Sequence, residues 1–157
     1  MQSKSNGFSL VEVTLAIGVA AISLIAIFGL LPVGLQTNHN AIEQSAATDI
    51  LADVIADLKA TAPTNPRGGG ATSGLFGIAI PGNPVSANTQ ITMYFTSEGL
   101  VVSSANASRY RLTITFPPNG KGARTSTFVD LKMTWPGAAA PANATGSAEV
   151  FAALDRN

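Results

Sequence analysis

Between Val13 and Leu35 the chain reads VTLAIGVAAISLIAIFGLLPVGL, without one charged side chain. A helix rises about 1.5 Å per residue, so this run is long enough to cross the roughly 30 Å of a bilayer's hydrocarbon core. The core helix of a soluble domain keeps a polar stripe, whereas this run is apolar on every face. A cleavable secretory signal fits no better, because its apolar region spans about 7–15 residues and ends in small residues at a cut site. The run is therefore read as a retained membrane-spanning segment.

The remainder of the 157 residues suffices for one modest domain. Nine Lys+Arg balance nine Asp+Glu, so no nucleic acid is expected as a partner, because such binding draws its affinity from neutralised phosphates. Charged residues make up 11% and hydrophobic ones 46%, a balance that builds a core and not a disordered chain. The absence of cysteine removes disulfides, thiol nucleophiles and thiolate metal sites. With His39 the single histidine, the common zinc sites and the Ser-His-Asp triad lose most of their parts. No enzyme, cofactor or metal is expected.

Residues 1–7, MQSKSNG, form a short polar leader whose Lys4 favours a cytoplasmic N-terminus by the positive-inside bias. FSLVE follows, and its Glu12 places a carboxylate at the start of an otherwise apolar segment. A charge in hydrocarbon costs about 3 kcal/mol on insertion scales, which makes Glu12 a functional candidate by default.

The segment GFSLVEVTLAIGVAA resembles the N-terminus of type IV prepilins and of the related pseudopilins of secretion and DNA-uptake machines. The resemblance covers about the first thirty residues. It implies that a prepilin peptidase cuts after Gly7, that Phe8 becomes the N-methylated first residue, and that Glu12 is the assembly glutamate. AIFGLLPVGL, the later WPG and the terminal EVFAALDRN also look like a subgroup called Verru_Chthon cassette protein B. The function implied is that of a structural subunit, a minor pilin or pseudopilin, assembled through its N-terminal helix into a type IV pilus or a type II secretion-like pseudopilus. Its partners would be the peptidase, other pilin or pseudopilin subunits, membrane lipid and the assembly platform. Its place would be the inner membrane, single-pass, with a cytoplasmic N-terminus and a periplasmic C-terminal domain, and then the filament. Two features depart from the family pattern: the chain has no cysteine for the C-terminal disulfide of many major pilins, and its leader has one basic residue. The alternative is a membrane-tethered periplasmic binding domain that never assembles, for which Gly7-Phe8 and Glu12 would be unnecessary.

Within the run, Gly18, Ala20, Ala21, Gly29 and Gly34 permit close helix approach, and Pro32 is expected to kink or weaken the helix. Residues 8–35 form the transmembrane and assembly helix, and residues 36–62 continue it amphipathically. Ala47, Ile50, Leu51, Val54, Ile55 and Leu58 make an apolar stripe, with Asp49, Asp53 and Asp57 on the other side. The Asp residues are read as solvated and not as a metal site. Helix should end near Ala60. Residues 63–74, rich in Pro and Gly, are read as a flexible loop that forms neither helix nor ladder readily, and their GGG lacks the lysine and context of a phosphate cradle.

Residues 75–157 change to a period of two. Gln90–Thr96 and Leu100–Ser103 read as a hairpin, Arg109–Phe116 and Phe128–Trp135 as strands with one apolar face each, Glu149–Ala153 as a short last strand, and Leu75–Ile80 as a weaker one. The fold class is α+β: a long N-terminal helix, membrane-spanning in its first half, packed on a mainly antiparallel sheet, as in pilins. Glu98, Asp130, Glu149 and Asp155 are too scattered for an acid-base pair, and Tyr94, Tyr110 and Trp135 lack a basic stripe. Two sequons, at Asn106 and Asn143, are taken as accidental.

Overall fold

Helix α1 runs from Leu10 to Ala60, followed by strands β1 (Ala71–Thr72), β2 (Ala79–Ile80), β3 (Thr89–Phe95), β4 (Val101–Val102), β5 (Tyr110–Phe116), β6 (Thr127–Trp135) and β7 (Gly146–Leu154). This is a computed structural model that describes residues 7–64, 68–120 and 126–155. The leader up to Asn6 and residues 65–67 of the expected loop lie outside it. The chain divides into two units, residues 1–42 and residues 43–157.

The described part of the first unit is the stretch from Gly7 to Ile42, exposed throughout and helical from Leu10. Helix is the form that satisfies every backbone polar group within the segment, as hydrocarbon demands. Its hydroxyls are satisfied the same way: Thr14 donates to the Val11 carbonyl, Ser23 to Val19 and Thr37 to Val33, each at 2.9 Å. Pro32 sits inside the helix without ending it. Its missing N–H leaves the Phe28 carbonyl without the usual donor four residues on.

The second unit begins with the amphipathic end of α1. Ala47, Ile50, Leu51, Val54 and Leu58 are buried, and they pack on the inner face of a five-stranded antiparallel sheet ordered β4-β3-β5-β6-β7. The α+β arrangement of helix on antiparallel sheet is as read from the sequence. α1 closes at Ala60, with Lys59 in its last turn complementing the helix dipole.

The sheet core comes from alternation. Tyr110, Leu112, Ile114 and Phe116 on β5 and Val129, Leu131, Met133 and Trp135 on β6 are all buried; the residues between them are more exposed, except Thr134, which is buried as well. The β3–β4 pairing realises the expected hairpin, with Tyr94 opposite Val102 and Phe95 opposite Val101. Strand β7 is longer than the expected Glu149–Ala153, because the ladder with β6 starts at Gly146 opposite Trp135. Gly, Ser and Ala carry little strand preference of their own, and pairing with β6 overrides it.

Two further differences concern residues 63–80. Ala71–Thr72 pairs with Ala79–Ile80, so the stretch expected to form no ladder contributes a strand. Of the weak candidate Leu75–Ile80, only the last two residues are strand. The cause is Asp57, expected to be solvated, whose carboxylate accepts hydrogen bonds from the backbone N–H of Leu75 (2.8 Å) and Phe76 (3.0 Å). These bonds turn the chain at Leu75–Phe76. Ser73 then closes the turn on both sides, its N–H donating to the Ile78 carbonyl (2.9 Å) and its Oγ accepting from the Ile78 N–H (3.0 Å).

Partial burial disfavours the Asp57 carboxylate. The hydrogen bonds from Ser73, Phe76, Leu75 and Gly74 outweigh that and hold the group below the ordinary aspartate range. A lowered folded value means stability present above about pH 4 and lost as the pH falls through the folded value. Asp57→Asn is therefore expected to cost about 1–2 kcal/mol at pH 7. The gap between wild type and variant should narrow below about pH 4. Urea unfolding midpoints measured along a pH series check this, and a gap that stays constant down the series counts against the charged role of Asp57.

Candidate functional site

The helix entrance is built from Gly7, Phe8, Ser9 and Glu12. Gly7 to Ser9 precede the helix, and the Ser9 carbonyl accepts the first bonds, from the N–H of Glu12 (3.0 Å) and of Val13 (3.2 Å). Phe8 is 83% exposed on the non-helical segment, and Gly7 has open space where a Cβ would stand. The Gly7–Phe8 peptide bond thus lies in exposed, non-helical chain just ahead of the helix. Glu12 occupies the first helical turn, where the free N–H groups favour a negative side chain.

Beyond it the large side chains of the apolar run remain exposed, from Val13 through Phe28 to Leu35. Water does not tolerate an apolar surface of this extent on a monomer. One helix near the N-terminus is long and apolar enough to cross a membrane. His39 and Ile42 are exposed on the same helix.

The second unit gathers no acid-base pair among the described carboxylates. Glu98 lies in the β3–β4 turn, where the Ser97 hydroxyl donates to it at 2.8 Å. Hydrogen bonds from Ser97 and Thr96 lower its pKa. Asp130 sits on β6, and there burial, with Glu149 adding repulsion, raises the carboxyl against the pull of Lys132. Glu149 on β7 pairs with Lys132 at 3.3 Å. Asp49 and Asp53 are exposed. Tyr110 and Trp135 belong to the core as an edge-to-face pair with centroids 6.0 Å apart, and Tyr94 lies on the outer sheet face beneath Arg111.

Sequence reasoning missed Glu43. Its side chain is buried and ion-paired with Arg109, and its backbone carbonyl accepts from the Tyr110 hydroxyl at 3.2 Å. This ties the start of the amphipathic stretch to the head of β5. The available signal was phase: Glu43 precedes Ala47 by four residues and so falls on the apolar stripe, where a charge requires a partner.

Comparison with protein-family models, with curated proteins and with solved structures finds no match to this chain.

Proposed function

We propose that this chain is a prepilin-like structural subunit, cut after Gly7, methylated on Phe8, and added through its N-terminal helix to a pilus or pseudopilus. The observation that carries the reading is one juxtaposition: an exposed Gly7–Phe8 bond ahead of the helix, Glu12 in the first helical turn, and an exposed apolar helix behind them. Lipid would cover that helix first, and the helices of other subunits afterwards. Dry packing of this kind relies on close approach, which Gly18, Gly29 and Gly34 permit, each having open space around it.

Cutting at Gly7 creates an amine on Phe8, four residues before Glu12. In hydrocarbon both charges are costly. If Glu12 of one copy meets the Phe8 amine of another, both are neutralised together at a single axial offset, which fixes register more than it adds net stability. The orientation that suits this chemistry puts the N-terminus in the cytoplasm and residues 43–157 in the periplasm of an inner membrane.

Mass spectrometry of the N-terminal peptide tests the processing, and the expected mature chain starts at a methylated Phe8. An intact Met1 in a host with an active prepilin peptidase would overturn the reading. Glu12→Gln should insert and be cut normally but enter cross-linked multimers at a small fraction of the wild-type level in competition. Equal entry would favour the non-assembling membrane tether.

A further inference from the structure

The outer face of the sheet, turned away from α1, carries a cleft of about 400 Å³. Three adjacent strands supply its floor. Thr92 on β3 lies opposite Thr113 on β5, which lies opposite Lys132 on β6. Arg111 comes from the next outward row of β5 and Gln90 from the other side of Thr92, and the Pro141–Ala142 segment of the β6–β7 connection forms a wall.

Both charged side chains that line the cleft are cations, Arg111 and Lys132. The Arg111 guanidinium carbon stands 5.4 Å from the Tyr94 ring centroid, which holds the plane of the fork in place. Its Nε is buried, and no hydrogen-bond partner meets it among the described residues. Lys132 pairs with Glu149 at 3.3 Å, but both side chains are about half exposed. A pair of that kind is weak and easily exchanged for a better partner. The remaining lining is neutral and hydrogen-bonding: two threonine hydroxyls and an amide.

We infer that this cleft binds a carboxylated sugar. A planar guanidinium fork matches a carboxylate bidentately, and Lys132 adds a second positive charge beside it. Thr92, Thr113 and Gln90 offer the mixed donors and acceptors that sugar hydroxyls require. Pro141 and Ala142 provide a small apolar wall for the C–H face of a pyranose ring. The volume fits one such ring within the range usual for ligand pockets. A neutral sugar would leave the Arg111 fork without a carboxylate, and an apolar ligand would strip water from five polar side chains without replacing it. The inference stands independently of the prepilin reading, since each of these residues lies in the second unit.

The test is an NMR titration of the full chain in detergent micelles with D-glucuronate, D-glucose and inorganic sulfate. D-Glucuronate is expected to shift the amide resonances of Thr92, Arg111, Thr113, Lys132 and Ala142, saturating at about 1 mM for a ligand of its size. Arg111→Gln should weaken this by about tenfold or more, because it removes a charged hydrogen-bonding fork. Lys132→Met should weaken it several-fold, and it serves as the second variant if Arg111→Gln alters the spectrum elsewhere. Glucose shifting the same resonances as strongly as glucuronate would overturn the proposal, as would sulfate competing on equal terms, which marks a plain anion site. Glucuronate binding unchanged in both variants would overturn it too.

Discussion

Val54→Asp is expected to unfold residues 43–157. Val54 is 0% exposed on the stripe of α1 that faces the sheet. Aspartate is somewhat smaller than valine, so it fits the space and the chief damage is electrostatic: a carboxylate in the seam either remains charged without a partner or takes up a proton. Either course costs several kcal/mol, to which the lost burial of valine adds about 1.5–3 kcal/mol. Total stabilities of domains this size are about 5–15 kcal/mol, so most of the margin goes. Trp135, the single tryptophan and 6% exposed, reports the outcome through its fluorescence. Its emission should move to that of solvated indole in Val54→Asp and stay put in Val54→Ala, which leaves a cavity but no charge. A thermal transition for Val54→Asp at the wild-type temperature would mean the core is elsewhere.

Gly146→Ala is expected to cost a few kcal/mol although it adds a single methyl group. A Cβ at Gly146 would stand 2.3–2.5 Å from the Cε2, Cζ2 and Nε1 atoms of Trp135, its partner across the ladder. That ring is rigid and packed edge-to-face against Tyr110, so it cannot turn aside cheaply. Replacing glycine by alanine ordinarily adds about 0.4–1 kcal/mol by restricting the unfolded chain, and the clash is larger. The measurement is the thermal midpoint together with the Trp135 emission, both expected to change. Ser147→Ala, next in the strand and exposed, is the control and should lie within about 0.5 kcal/mol of wild type. Equal stability of the two variants would show that Trp135 has room to move.

The sequence by itself determined the features that rest on a local period. The charge-free run from Val13 to Leu35 dictated a membrane-competent helix, because no fold of 157 residues can water-expose or bury it on all sides cheaply. The stripe from Ala47 to Leu58 and the alternation in β5 and β6 dictated which faces meet, since side-chain direction repeats every 3.6 or 2 residues whatever the rest of the chain does. Gly7, Phe8 and Glu12 stood out through the resemblance of the short stretch GFSLVE to prepilin N-termini.

Tertiary structure decided what depends on residues distant in sequence. Asp57 looked like one of three equivalent solvated carboxylates until the chain returned eighteen residues later and presented the N–H of Leu75. Glu43 became tolerable on an apolar stripe once Arg109, at the head of β5, stood beside it. The β1–β2 pair formed inside a Gly-rich stretch because that turn was held from outside. The outer-face cleft exists because three strands align Thr92, Thr113 and Lys132 in one row, with Arg111 beside it. Propensity and periodicity act within a few residues, whereas hydrogen-bond partners, buried charges and concave surfaces are made by contacts between segments, and those come into being when the chain closes on itself.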